Sequence, residues 1–164
     1  MKQILLYSLM IAVLGLIIGC APQAENPEQL LADAKALDQE FVEAYNNGDV
    51  DAIMDTYWNS PELISYPADM MEVRGWEANK EAFKKAFANQ PSAELELLEP
   101  NNTVIGDAVI GTGKWRFTMT LPGDVSMVVE GRYTDVKTRV NGKLVYIVDH
   151  ASVPLPPPPD SPEM

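Results

Sequence analysis

The sequence predicts an α+β fold in which three N-terminal helices precede a run of antiparallel strands. Up to Pro91 the apolar residues recur at three- and four-residue steps, which is the spacing of one face of a helix. After Pro91 apolar and polar residues alternate, which is the spacing of a strand with one buried face. Turn sequences separate these strands, so the helices are expected to cover one face of a hairpin-linked sheet.

Each predicted helix has its own boundary signals. Residues 30–45 carry one apolar stripe, and the Asn-Asn-Gly sequence at 46–48 ends it. Asp49 is expected to cap a second helix that stops before Asn59-Ser60-Pro61. Residues 63–66 are predicted as a short strand, 67–73 as a loop and 76–88 as the third helix.

The strand half starts at an alternation of Glu and Leu over residues 94–97 and continues through 109–121. Pro122-Gly123-Asp124 separates the next two strands, and Asn141-Gly142 is a strong hairpin signal before the last one. Residues 154–164 are rich in proline, which cannot donate the hydrogen bonds of a sheet, so we expect an extended tail there.

The N-terminus resembles a bacterial lipoprotein signal. Lys2 precedes an apolar run that ends at Ile17-Ile18-Gly19-Cys20, which holds the one cysteine of the sequence. The run is shorter than the roughly 20 residues of a membrane-spanning helix. The resemblance implies that residues 1–19 are removed and that acyl chains on Cys20 anchor the protein to a membrane. An uncleaved anchor helix and an ordinary secretory signal are the alternatives.

This interpretation divides the chain into four parts. Residues 1–19 are the signal peptide, 20–27 a tether, 28–153 the folded domain and 154–164 the tail. Ala21 stands where an aspartate would mark inner-membrane retention in enterobacteria-like hosts. The predicted location is therefore the outer membrane, with the domain facing the periplasm.

Composition excludes several kinds of partner and cofactor. The formal net charge is −12, which repels phosphate backbones and anionic headgroups, so no nucleic-acid partner is predicted and the membrane is held through the acyl chains on Cys20. No other cysteine remains for a disulfide, a thiolate nucleophile or a cysteine metal site. His150 is the one histidine, so neither a histidine-rich metal site nor a cofactor is predicted.

Three segments together resemble the nuclear transport factor 2-like superfamily, in particular its SnoaL-like branch. They are FVEAYNNGDVDA from Phe41, RGWEANKEAF from Arg74 and YIVDHAS from Tyr146, within a resemblance that spans residues 28–153. The resemblance implies a cone-shaped, strongly bent antiparallel sheet, the cystatin-like roll, closed by helices around a deep pocket. Members include isomerases, cyclases, dehydratases, ligand binders and association domains, so the fold alone does not choose a function.

The resemblance also implies a homodimer, because members commonly pair through the outer face of the sheet. Strand parity makes Tyr133, Val145 and Ile147 the candidates for that face.

Two polar residues are predicted to face the pocket. Parity separates Arg132 from the more charged series of Tyr133, Asp135 and Lys137, which is expected to face solvent. An inward Arg132 could clamp a carboxylate or could pair with Glu130.

His150 is assigned to the pocket because the family motif keeps a histidine there. It could serve as a general base or as a structural hydrogen-bond donor. A triad of Asp149, His150 and Ser152 is disfavoured, because Asp149 points to the face opposite the other two.

Four aromatic residues complete the predicted ligand-binding pocket: Tyr57, Tyr66, Trp115 and Phe117. They could stack on a flat apolar ligand or simply fill the core.

Steroid isomerases of this superfamily need a tyrosine that donates a hydrogen bond and a carboxylate that acts as a base, and the resemblance indicates where both would lie in this sequence. These positions fall on Phe41 and on Ser65 or Tyr66, so both functional groups are missing. Asp69 in the following loop is the one possible replacement for the base.

The predicted function is a lipid-anchored, extracytoplasmic domain that binds a small aromatic or carboxylate-bearing molecule, with no specific reaction supported. One alternative is an isomerase, hydrolase or dehydratase that uses His150 and Arg132. The other is a dimerisation or scaffold module whose pocket is filled by Trp115 and Phe117.

The lipoprotein interpretation predicts the behaviour of Cys20→Ser. The variant cannot accept the acyl chains, so it should accumulate as an unprocessed precursor and lose its membrane fractionation. Mass spectrometry of the N-terminus and detergent partitioning measure both effects. A variant that is processed and fractionates like the wild type would contradict the assignment.

Overall fold

The structure of the protein is a computed structural model that describes residues 25–89, 93–121, 123 and 125–155. The predicted signal peptide, Cys20 and the tail from residue 156 lie outside the described residues. Three helices precede the long strands of a curved, open sheet, which confirms the α+β prediction.

The three helices agree closely with the predicted segments. They are α1 (Pro27–Asn46), α2 (Val50–Asp55) and α3 (Trp76–Asn89). Asp49 caps α2 as predicted, because its side chain accepts a hydrogen bond from the Ala52 backbone N–H at 3.0 Å. At the start of α1, the Asn26 side chain accepts a hydrogen bond from the Glu28 backbone N–H.

Six strands form one sheet in the order β2-β1-β6-β5-β4-β3. They are β1 (Ile64–Tyr66), β2 (Val73–Arg74), β3 (Ala93–Ile105), β4 (Ala108–Leu121), β5 (Val125–Val140) and β6 (Lys143–Ser152). Two details differ from the prediction. β1 runs parallel to β6, because no hairpin links these distant segments. β2 lies where the end of the 67–73 loop was expected.

A β-bulge in β6 sets which residues face the helices. Val136 pairs with Val148 and Lys137 pairs with Tyr146, so Ile147 is an extra residue without an opposite partner. Such a bulge bends the strand and reverses the alternation of side chains beyond it. A second register shift in β3, between residues 98 and 101, adds to the curvature of the sheet.

The main hydrophobic core lies between the concave face of the sheet and the helices. Leu30, Ile53 and Leu63 are fully buried there, from α1, α2 and the segment before β1. The end of α1 is fixed to the edge strand β3, because the Asn46 side chain makes two hydrogen bonds with the Leu95 backbone, at 2.7 and 3.0 Å.

A fully buried lysine lies between the sheet and α1. The Lys137 Nζ is 2.9 Å from Asp38 Oδ1 and 2.8 Å from Asp135 Oδ1, and it donates to Asn102 Oδ1 at 2.8 Å. Gly111 on β4 makes room, since a Cβ there would lie 2.6 Å from the Lys137 Nζ and 2.5 Å from the Asp135 oxygens. These ions compensate one another inside the protein.

The prediction that Tyr133, Asp135 and Lys137 face solvent is therefore wrong. All three lie on the concave side and are at most 9% exposed. Two of the three residues predicted for a dimer face are therefore not available on the surface. Tyr133 points inward, and Val145 is buried within the chain.

Lys137→Met tests the buried ion cluster. The substitution keeps the apolar stem but leaves Asp38 and Asp135 without their cation, so the free energy of unfolding should fall by about 3–5 kcal/mol. Chemical denaturation measures the loss, and Asp135→Asn added to Lys137→Met should recover part of it. The control is Lys114→Met, an exposed pair with Glu99, which should change stability by about 0.5 kcal/mol or less. Equal effects of the two lysine variants would contradict the assignment.

Candidate functional site

A cavity of about 420 Å³ opens between the concave face of the sheet and helices α1 and α3. Most of its wall is apolar and rich in aromatic rings. The aromatic residues that line it are Phe41, Tyr45, Tyr57, Phe83, Trp115, Phe117, Tyr133 and Tyr146. Leu95, Leu97, Met119 and Val129 continue the apolar wall along the sheet.

Helical spacing and strand parity place these rings together. Phe41 and Tyr45 are four residues apart on α1 and share its inner face. The Tyr45 ring packs edge-on against Phe117 of β4 with centroids 5.8 Å apart, and the Tyr57 ring lies 6.1 Å from Phe83 of α3. The wall is thus supported from the helices and from the sheet.

The floor of the cavity is acidic. Asp135 of β5 and Asp149 of β6 are paired directly across the two strands, and both line the cavity. The Tyr57 hydroxyl donates to Asp149 Oδ2 at 2.7 Å, and the Tyr146 hydroxyl donates to Asp38 Oδ1 at 2.5 Å. Carboxylates from three elements therefore converge on one end of the cavity.

Burial changes the protonation of the two paired carboxyls. It raises the pKa of Asp135 to about 7, although the Lys137 ammonium beside it acts in the opposite direction. Burial also raises the pKa of Asp149, while the hydrogen bond from Tyr57 opposes that rise. Both carboxyls thus hold a proton at higher pH than an ordinary aspartate and can exchange it closer to neutrality.

Ser65 occupies one of the positions tested for a steroid-isomerase base. Its hydroxyl lies on the cavity side and is 2.5 Å from Asn79 Oδ1, and Asn79 is held in turn by a 2.9 Å hydrogen bond from its Nδ2 to the Gly75 carbonyl. Phe41 lines the cavity at the tyrosine position. Both positions face the cavity, and neither carries the functional group that the chemistry requires.

Three of the predicted pocket residues line the cavity: Tyr57, Trp115 and Phe117. Trp115 and Phe117 keep part of their surface open, so they do not fill the space between them. Asp69 from the loop after β1 also contributes to the lining.

The prediction that Tyr66, Arg132 and His150 face the pocket is wrong. Arg132 is exposed on the outer face of the sheet, where its Nε donates to the Ser152 hydroxyl at 3.3 Å. The rings of Tyr66 and His150 pack edge-on against each other outside the cavity, 5.8 Å apart.

The errors have two physical causes. For Arg132, parity was correct but the buried face was chosen by charge, and the charged face proved to be the buried one. For His150, the bulge at Ile147 turns Asp149 inward and His150 outward. The alternative pair of Arg132 with Glu130 is also wrong, because Glu130 accepts from the Arg116 Nε at 2.8 Å.

The described residues contain no group of three or more histidine, cysteine, aspartate or glutamate side chains arranged to hold a metal ion. None of the described helices is long and apolar enough to cross a bilayer.

The fold agrees with comparisons to known proteins. Residues 39–147 match the sequence profile of the SnoaL-like domain, and the chain belongs to this family. The resemblance to the nuclear transport factor 2-like superfamily is thereby confirmed. The sequence has no significant match among functionally curated proteins.

Solved structures share the fold at low identity. A nuclear transport factor 2-like superfamily protein from Salmonella enterica superposes with a TM-score of 0.74 at 17% identity, over 84% of this chain and 100% of the other. A candidate dehydratase from Streptomyces avermitilis gives 0.73 at 16% identity, over 79% and 100%. A candidate calcium/calmodulin-dependent protein kinase II association domain from Xanthomonas campestris gives 0.64 at 19%, over 87% and 95%.

Proposed function

We propose that the domain binds a small, largely apolar molecule in its aromatic cavity and is held at the periplasmic side of the outer membrane by acyl chains on Cys20. The cavity carries the binding part of this proposal, and the N-terminal sequence carries the anchoring part. Its volume of about 420 Å³ lies within the roughly 300–1,000 Å³ of small-molecule sites, and its walls are apolar with a few converging polar groups.

The charge of the cavity narrows the choice of ligand. Arg132, the side chain expected to clamp a carboxylate, lies outside. The floor instead carries Asp135 and Asp149, which would repel an anion. A carboxylate-bearing ligand is therefore dropped from the proposal, and an aromatic one is kept.

The anchor is compatible with the position of the N-terminus. Glu25, five residues after Cys20, contacts Arg139 near the β5–β6 turn. Five extended residues span about 17 Å, so this end of the domain would stay close to the membrane. The homodimer stays a prediction.

The binding proposal is tested with N-phenyl-1-naphthylamine, a neutral apolar probe whose fluorescence increases in apolar sites. The wild type should show saturable enhancement. Ala151→Phe places a ring in the cavity and should weaken probe binding by about tenfold or more. The neighbouring Ser152 lies on the outer face, so Ser152→Phe should bind like the wild type. Absence of saturable binding, or equal loss in both variants, would contradict the proposal.

A second candidate is acid–base catalysis, as in an isomerase or dehydratase, now placed on Asp149 rather than on His150. The observation that favours it is the 2.7 Å hydrogen bond from Tyr57 to Asp149 inside the cavity, beside a second carboxyl with a raised pKa. The Streptomyces avermitilis neighbour, named a candidate dehydratase, raises the same possibility by fold alone.

Catalysis is tested with 2-tetralone, an aromatic ketone with exchangeable protons beside the carbonyl. In deuterated water, the wild type should accelerate deuterium incorporation at that carbon, measured by proton NMR. Asp149→Asn should reduce the acceleration at least about tenfold, because an amide cannot accept the proton. Asp55→Asn, an exposed aspartate outside the cavity, should not. Deuterium exchange no faster than in buffer would contradict catalysis and leave binding as the single proposed function.

A further inference from the structure

We infer that the ligand carries a positively charged nitrogen, such as a protonated amine, which pairs with Asp149 at the cavity floor. This inference rests on the proposed binding function and specifies the chemical class of the ligand. Four observations support it: the charge of the lining, the contacts of Asp149, the burial of Asp135 behind it, and the aromatic rings around both carboxyls.

The lining of the cavity is acidic without compensation. Among the described residues, its charged side chains are four aspartates, with no lysine, arginine or histidine. Lys137, the nearest cation, lies behind the lining and is fully buried between Asp38 and Asp135. One ammonium therefore faces more than one carboxylate, and the floor retains negative charge when its aspartates are ionised.

Asp149 is the carboxyl with room for a ligand. Within the described residues it makes no ion pair with a lysine or an arginine, and the Tyr57 hydroxyl donates to one of its two oxygens, Oδ2. Asp149 is less buried as a residue than Asp135, and it lines the cavity. A cation bound in the cavity would therefore lie beside this carboxyl.

Asp135 adds a second carboxyl behind Asp149. It is 2% exposed, its Oδ1 lies 2.8 Å from the Lys137 Nζ, and that oxygen accepts no further hydrogen bond among the described residues. Cross-strand neighbours have Cβ atoms roughly 4.5–5.5 Å apart, so the Asp135 charge also acts on a cation at Asp149. A bound cation would reduce the mutual repulsion of the two carboxylates.

The walls suit an organic cation better than a metal ion. Tyr45, Tyr57 and Phe117 bring aromatic rings to the same cavity, and the faces of such rings attract ammonium groups. The described residues provide no metal-ligand group. An aromatic amine would thus use both the apolar wall and the acidic floor.

The pairing should depend on pH in a defined direction. Asp135 and Asp149 have raised pKa values and must be ionised to hold a cation, so affinity for an amine should increase from pH 6 to pH 8. The groups around them are Asp38 from α1, Lys137 and Tyr133 from β5, His150 next to Asp149 on β6, and the hydroxyl of Tyr57. Binding near pH 7 should release protons into the solution.

The test compares three naphthalenes that differ in one group: 2-naphthylmethylamine, 2-naphthylmethanol and 2-naphthoate. Calorimetry at pH 8 should show the amine binding about tenfold tighter than the alcohol, and the carboxylate weakest. The amine should lose this advantage at pH 6, and the alcohol should not change. Repeating the amine titration in buffers of different ionisation enthalpy measures the released protons.

Asp149→Asn separates the charge from the shape of the site. It should reduce amine affinity to that of the wild type for the alcohol, and a cooperative thermal unfolding transition shows that the variant is folded. The control Asp55→Asn, outside the cavity, should keep the tenfold preference. Equal affinities of amine and alcohol for the wild type would overturn the cation while leaving the binding function intact. Failure of all three naphthalenes overturns it too, and N-phenyl-1-naphthylamine then reports whether the cavity binds apolar molecules at all.

Discussion

The ammonium of Lys137 is the interaction on which the arrangement of this domain depends. It joins Asp38 of α1 to Asp135 of β5, and it also donates to Asn102 of β3. A buried charge without such partners would cost several kcal/mol, so the helix and the two strands are fixed at the distance that lets all of them reach one nitrogen. The cavity is the space that remains beside this contact.

The same arrangement explains why the cavity is both aromatic and acidic. Rings from α1 and β4 enclose its apolar part, and the Tyr57 hydroxyl holds Asp149 at the floor. Because Lys137 is shared by two carboxylates, it cannot neutralise a third one. The surplus charge is thus a consequence of how the helices are attached to the sheet, and it gives the cavity a chemical preference that its apolar walls alone would not have.

The positions of helices and strands were predicted better from the sequence than the side of the sheet to which each residue points. The cap at Asp49, the three helices and the hairpins follow from local signals, and so does the inward position of Trp115 and Phe117. Arg132 was misplaced because alternation says which residues share a face but not which face is buried, and paired ions can be inside. His150 was misplaced because one extra residue, Ile147, reverses the alternation without leaving a mark in the hydrophobic pattern. Asp135 and Asp149 were missed for the same two reasons.

The glycines of β4 link the floor of the cavity to a recognisable sequence pattern. Gly111 lies opposite Asp135 and Gly113 lies opposite Tyr133, and a Cβ at either position would come within 2.7 Å of the facing side chain. This part of the floor therefore requires Gly-x-Gly at residues 111–113 of β4 and Tyr-x-Asp-x-Lys at residues 133–137 of β5. In this chain, an alanine at Gly111 would clash with the Asp135–Lys137 pair and an alanine at Gly113 with the Tyr133 ring. A sequence search for this buried cluster must therefore combine both patterns with residues equivalent to Asp38 and Asn102.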